Sequence, residues 1–249
     1  MNYETIADST YNEMTGERCS SVKNMLRSPM HFRYEEEHPT DHKAFVIGRA
    51  VHETILLHNQ GYLIAPKCDK RTKVGKELWA EFMTHANGCD VLTEDENEMV
   101  CEMRDAVQAH KEATELLEGT VPESAVQWYE PESGLQLKQK MDAIGNGMVI
   151  DLKTCQNAGA PFKRDIFNYH YQMQAAWYLD GVEDADRFMF VAVEKTTPYG
   201  VAVYELSPAA IAHGRTLYQD ALIKLADCRA KDVWPGYAGG AVELPKYMA

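Results

Sequence analysis

No two of the six cysteines, at 19, 68, 89, 101, 155 and 228, stand in a C-x-x-C pair. That absence argues against a zinc or iron–sulfur centre and for reduced thiols in a cytosolic protein. No run of apolar residues approaches the roughly 18 of a membrane span, and the start, MNYETIADSTYNEMTGE, has no apolar h-region. Neither export nor membrane insertion is expected, so the predicted location is cytoplasmic. An internal repeat is missing too, as is any linker long enough to divide the chain. Positive charge is scarce: 25 Lys and Arg against 38 Asp and Glu leave a formal charge of −13. A uniformly basic nucleic-acid binder is excluded, and any polyanion has to be met by a local basic patch or through a metal.

What is present is ordinary globular composition, 249 residues of which 45% are hydrophobic and 25% charged. One domain over 1–249 is expected, with 1–17 and 230–249 peripheral and the first of these loosely held. The most informative stretch is Lys138 to Thr154, KQKMDAIGNGMVIDLKT. It reads as two strands joined by Asn146-Gly147, the strongest short-range signal for a two-residue hairpin turn. Such a turn sets Ile144 opposite Val149, Asp142 opposite Asp151 and Lys140 opposite Lys153. Alternation puts those residues on one face and Met141, Ala143, Ile150 and Leu152 on the other, apolar one. Two aspartates opposed at about 5 Å between Cβ atoms repel each other, an odd choice for a purely structural hairpin. A hard divalent cation such as Mg²⁺ between them removes the penalty.

Elsewhere the pattern alternates helices and strands. Ser20 is read as the N-cap of a helix carrying Val22, Met25, Leu26 and Met30, with Pro29 ending or kinking it. AFVIGRAVHETILLH is apolar on nearly all sides, as a buried helix is. His52 within it is either a hydrogen-bonded core residue or a ligand, and Gly48 one turn earlier would let a backbone or ligand approach. Lys67, Lys70, Arg71, Lys73 and Lys76 then fall within ten residues, either a solvated loop with a basic helix start or a phosphate-contacting arm. Thr93 to Glu96 is a capping box opening one long helix to Leu117. Strands are expected near 123–130, 135–144 and 148–153, a buried aromatic helix ending at Gly181, two further strands, and a helix begun by Ser207-Pro208. Nothing local distinguishes Glu123 from a surface glutamate. Gln174 and Tyr178, four apart, share a helix face and need polar partners. The order argues for one α/β domain.

The pieces CSSVKNMLRSPMHF, GRAVHE, KRTKVGKELW, LKQKMDAI, VIDLKT, YQMQAAWY and VEKTTPYGVAVYEL stand in this order through residues 19–206. Together they resemble the PD-(D/E)XK nuclease superfamily, and within it the RecE-like branch (exodeoxyribonuclease eight), related to lambda exonuclease. Asp-x-Lys alone is a weak signal; with Gly-x-x-x-His-Glu before it and Gln-x-x-x-Tyr after it, the combination is specific. Lys140, where the family often has arginine, and Ala143, where it has a bulkier residue, depart from the pattern without touching the chemistry.

The resemblance implies a restriction-endonuclease-like central mixed β-sheet flanked by helices. It implies divalent metal, Mg²⁺ with Mn²⁺ as substitute, on His52, Asp142 and Asp151, with the backbone carbonyl of Leu152 as a further ligand. It also implies that Lys153 holds the attacking water or stabilises charge on phosphorus. Glu123 would orient a second metal or water. Gln174 and Tyr178 would arrange the site and contact the DNA backbone, and Lys140 would meet that backbone or an acid such as Glu123. The implied activity is 5′ to 3′ digestion of linear double-stranded DNA by a ring-shaped homo-oligomer, leaving 3′ overhangs for a single-strand annealing protein and recombination. In such a ring only the channel, lined by Lys67 to Lys76, need be basic. An endonuclease or Cas4-like nuclease of the same superfamily would use the same residues, though the missing cysteine quartet speaks against the second. A non-catalytic DNA-binding module is the alternative from a different class.

Overall fold

The computed structural model describes residues 3–39 and 43–240. In chain order its elements are α1 (Asp8–Glu13), β1 (Glu17–Arg18), α2 (Cys19–Val22) running into a 3-10 turn, α3 (Pro29–Glu37), α4 (Lys43–Leu56), β2 (Tyr62–Ile64), α5 (Lys73–Ala86), β3 (Asp90–Leu92), α6 (Glu94–Ala109) and α7 (Lys111–Leu117). Then follow β4 (Val121–Glu130), β5 (Leu135–Gly145), β6 (Met148–Cys155), α8 (Ala160–Asn168), α9 (Tyr171–Asp180), β7 (Arg187–Glu194), β8 (Val201–Glu205) and α10 (Pro208–Lys231). The principal sheet runs β1-β5-β6-β7-β8, with β4 antiparallel on the other edge of β5. β6 and β7 are parallel, β5 and β6 antiparallel, so the sheet is mixed, as expected. β2 and β3 form a separate parallel pair. No helix among the described residues is long and apolar enough to cross a membrane.

Both faces of the sheet are covered. On one, Leu137, Met141, Ile144, Val149, Phe188 and Phe190 pack with residues of α2, α8, α9 and α10. On the other, Ala143, Ile150, Leu152, Met189, Val191 and Val193 pack with residues of α4 and α6. Gly214 of α10 lets that helix sit directly on α9, since a Cβ there would come within 1.9 Å of the Gln172 carbonyl oxygen.

The Asn146-Gly147 turn forms with both residues at positive φ (53° and 75°), and the expected register follows, Ile144 against Val149 and Ala143 against Ile150. Pairing stops there. Asp142 and Asp151 are not ladder partners; instead Asp142 Oδ2 accepts the backbone N–H of Leu152 at 2.7 Å. The division of faces also differs from strict alternation. Met141 joins Ile144 and Val149 in the first core, whereas Ala143 faces the second. The strand turns over at Asp142, opposite Glu123, whose own φ of 50° breaks the regular course of β4.

Four other expectations change. Ser28 rather than Ser20 caps the helix carrying Met30, accepting from His31 N–H, and Pro29 opens that helix at its first position instead of ending one. The long helix predicted to Leu117 breaks at His110, whose Nδ1 caps α7 by accepting from Ala113 N–H. A Cβ at Gly48 would meet nothing within 4 Å, so among the described residues no backbone approaches there. The N-terminal stretch is not loosely held: the Lys138 ammonium donates to the Tyr11 and Met14 carbonyls. Past α10, Trp234 stacks on Phe32 with ring centroids 6.0 Å apart. Of residues 230–249, expected to be peripheral, 233–240 carry no regular secondary structure and 241–249 lie outside the described residues.

Candidate active site

The second edge of β5 is shared. β1 pairs with it at Leu137 and Lys138, and β6 only at residues 143–145. Between them β5 and β6 fork, and polar side chains fill the fork. A hairpin whose strands diverge leaves backbone groups without ladder partners, and side chains have to take them. Asp142 takes Leu152 N–H, and the Leu152 carbonyl faces His52 Nε2 at 2.9 Å.

A carbonyl only accepts, so Nε2 carries the imidazole hydrogen and Nδ1 presents its lone pair. Nδ1 stands 3.6 Å from Asp142 Oδ1 and 3.8 Å from Glu123 Oε1. Those separations are too long for hydrogen bonds. One ligand atom from each of the three residues lies within 4.8 Å of the others, the spacing of donors around one cation with contacts of about 2 to 2.5 Å. Burial, foremost, pushes the Asp142 carboxyl up from 3.8 to about 6, with the Asp151 charge adding to the rise and His52 opposing it. A divalent cation would relieve that cost. The donor set therefore suits a hard or borderline divalent metal, and the orientation of His52 by a backbone carbonyl is the support metal-binding histidines usually have.

Asp151 stands apart from this cluster. It is 1% exposed, with Oδ1 accepting from Gln174 Nε2 at 2.8 Å and Oδ2 2.6 Å from Lys153 Nζ. Lys153 is pushed down by burial, but the Asp151 and Asp142 charges outweigh that and leave it raised, so it is a fixed cation at neutral pH. The Tyr171 ring lies 5.1 Å from its Nζ. Gln174 and Tyr178 line a small cavity of about 80 Å³ with Lys23 and Cys19. Tyr178 is raised well above its ordinary value, by burial and then by the charges of Asp151 and Asp142.

Residues 18–245 match the family described as a PDDEXK-like domain of unknown function (DUF3799). The chain belongs to this family. No curated protein matches the PDDEXK-like chain. Among solved structures, a candidate exonuclease from Eubacterium rectale shares its fold with a TM-score of 0.68 at 12% identity, over 97% of this chain and 96% of the other. Remoter likenesses are a phage-related exonuclease from Haemophilus somnus 129PT (TM-score 0.40, 13% identity, 90% and 99% coverage) and an alkaline exonuclease from Laribacter hongkongensis (TM-score 0.30, 13% identity, 72% and 97%). The PDDEXK-like family and the mixed sheet agree with the superfamily resemblance read from the sequence and are consistent with its RecE-like branch.

Around the cluster of this PDDEXK-like domain opens a cleft of about 530 Å³ lined by His52, Glu123 and Asp142 together with Asp8, Arg49 and Glu53. Asp8, Arg49 and Glu53 were not read as site residues. Arg49 and Glu53 lie on α4 with His52, within GRAVHE, and so had a local signal, while Asp8 arrives by tertiary contact; Arg49 also forms an ion pair with Asp90 at 2.6 Å. Lys140 is 15% exposed and bonds Glu123 Oε2 and Asp8, so it meets an acid as expected. Lys67, Lys70, Arg71, Lys73 and Lys76 do not line the cleft. They lie exposed before and along the start of α5, Arg71 paired with Asp69 and Lys70 over the Trp79 ring.

Proposed function

We propose that this domain is a metal-dependent nuclease that hydrolyses phosphodiesters of linear double-stranded DNA from its ends. The observation that carries the reading is the set of His52, Glu123 and Asp142 donor atoms within 4.8 Å, joined through the Leu152 backbone to the Asp151–Lys153 pair. A divalent cation, Mg²⁺ or Mn²⁺, supplies charge for the phosphate oxygens and lowers the pKa of bound water. His52, Glu123 and Asp142 would hold it, with Asp151, paired to Lys153, a further candidate ligand beside them. The Leu152 carbonyl, engaged by His52, is a weaker candidate ligand than the resemblance implied. Lys153 is a protonated group and so serves by stabilising negative charge on the reacting phosphate, not by accepting a proton. Gln174 keeps Asp151 in place, while Tyr178 and Lys23 line the small cavity beside it.

Digestion from 5′ to 3′, a ring of subunits around the duplex, and delivery of 3′ overhangs to an annealing protein for recombination complete the reading. The exposed basic residues of 67–76 support it as an arm toward phosphates, because five cations collect there in a chain of net charge −13.

The test is release of label from linear duplex carrying 5′- or 3′-label, beside a closed circle, with Mg²⁺ or with chelator. Metal-dependent release from linear duplex alone, lost in Asp151→Asn, is the expected result. Cutting of the closed circle would make the enzyme an endonuclease, and wild-type rates in Asp151→Asn would overturn the site.

A further inference from the structure

Glu123 is the member of the ligand cluster that the sequence marks least, and it has a φ of 50° at the third residue of β4. A residue with a Cβ takes that left-handed conformation only where its surroundings hold it. The N-terminal segment does so here. Thr5 forms a β-bridge with Ser124, Ile6 N–H donates to the Glu123 carbonyl at 3.1 Å, and Thr5 Oγ1 donates to the Pro122 carbonyl at 2.8 Å. The backbone is thereby pinned immediately before, at and after Glu123.

The side chain is held from the same segment. Glu123 Oε2 bonds the Lys140 ammonium, and the other partner of Lys140 is Asp8 Oδ1 at 2.5 Å. Asp8 begins α1, and Lys138, two residues from Lys140 on β5, donates to the carbonyls of Tyr11 and Met14 at the other end of that helix. Two lysines of one strand thus fasten one short helix, which sets Asp8 in the wall of the cleft. Burial pushes Lys140 down, yet its bonds to Asp8 and Glu123 outweigh that, so it stays charged.

We propose that residues 5–14 are a strap belonging to the active site, which fixes Glu123 for metal binding, with Asp8 a positioning residue that acts through Lys140. The inference rests on reading His52, Glu123 and Asp142 as the metal site. Removing the charge of Asp8 has two consequences of the same sign. The orientation of Lys140 is lost, and its whole positive charge then bears on Glu123, where it competes with a cation for the carboxylate.

Calorimetric titration of the metal-free full chain with Mn²⁺ tests this without recourse to activity. Asp8→Asn is expected to weaken Mn²⁺ binding about tenfold, with little change in the melting temperature of the metal-free protein, because the Asp8 side chain is 63% exposed. Asp8→Glu, which keeps the charge, is expected to restore most of the affinity. In a Lys140→Met background the Asp8→Asn change should cost less than about twofold, the coupling a shared path requires. Equal loss with and without Lys140, or no loss in Asp8→Asn, overturns the proposal. A fall in metal-free melting temperature in proportion to lost affinity, across Asp8→Asn and Thr5→Val, gives the strap a merely structural role and overturns it too. Wild-type protein that binds no Mn²⁺ overturns the metal-site reading itself; wild-type binding with unchanged Asp8→Asn removes only the strap.

Discussion

The two ends of the β5–β6 hairpin obey different rules although the same seventeen-residue stretch builds both. At the closed end Ala143, Ile144, Val149 and Ile150 are paired, at most 1% exposed and packed into cores on both faces. At the open end Asp142, Asp151 and Lys153 lie beyond the β5–β6 ladder, where Asp142 takes the Leu152 N–H and Asp151 pairs with Lys153 and Gln174. The closed end stabilises the fold by apolar burial; the open end gathers like charges that oppose it. The candidate site is concentrated where the hairpin gives up stability.

The comparison can be broken most forcefully at the closed end. Ile150→Ala leaves a cavity among fully buried neighbours and should cost about 3 to 4 kcal/mol in urea unfolding, while the cleavage rate per folded molecule stays within about twofold. At the open end the sign reverses. The Asp142 carboxyl is raised from 3.8 to about 6 in the folded protein, so between those values the native state holds a proton that the unfolded chain has lost. The contribution of this carboxyl to the stability of the metal-free protein is therefore greatest below about pH 4, falls as pH rises through about 6, and then levels. The fall attributable to this group is up to about 3 kcal/mol. Asp142→Asn should flatten that part of the curve and be no less stable than wild type at pH 7, and Mn²⁺ should stabilise wild type far more than the variant. Thermal unfolding from pH 4 to 8, with and without metal, checks both.

Smaller effects sharpen the boundary between the ends. Gln174→Ala removes the hydrogen bond to Asp151 Oδ1 and should slow single-turnover cleavage about tenfold, about 1.4 kcal/mol of barrier. Gly48→Ala, in α4 one turn from His52, adds a methyl group that meets nothing within 4 Å. It should stabilise the protein by up to about 1 kcal/mol in denaturant unfolding through helix propensity alone.

Much of this was legible along the chain because it is local. Asn146-Gly147 allows the two positive φ angles of the turn, Thr93 and Glu96 make their reciprocal cap, and Ser207-Pro208 opens α10. Ser28-Pro29 carries the same start signal as Ser207-Pro208, but Pro29 sits inside an apolar helical spacing that masks it. His110 broke a predicted helix for a different reason: its imidazole competes with the backbone as a cap, which hydrophobic periodicity does not register. At the site, His52, Asp142, Asp151 and Lys153 were legible by motif, and the structure brings them to one fork. Glu123 was the weakest of the expected site residues, yet it closes the three-donor cluster in place of Asp151. Its placement depends on β4 pairing with β5 and on a backbone hydrogen bond from Ile6, 117 residues away in sequence.

The sequence by itself determined the hairpin, its turn and its register at the closed end, the residue types of the site and the alternation of helices and strands, because each depends on neighbours within a few residues. Only the tertiary structure decided that the ladder stops at Asp142, that Met141 and Ala143 face opposite cores, and that Asp8, Lys140 and Glu123 meet. The physical reason is the shared edge of β5. A strand edge occupied by β1 at one end and β6 at the other cannot pair in between, and the backbone groups left there are satisfied by side chains from distant parts of the chain.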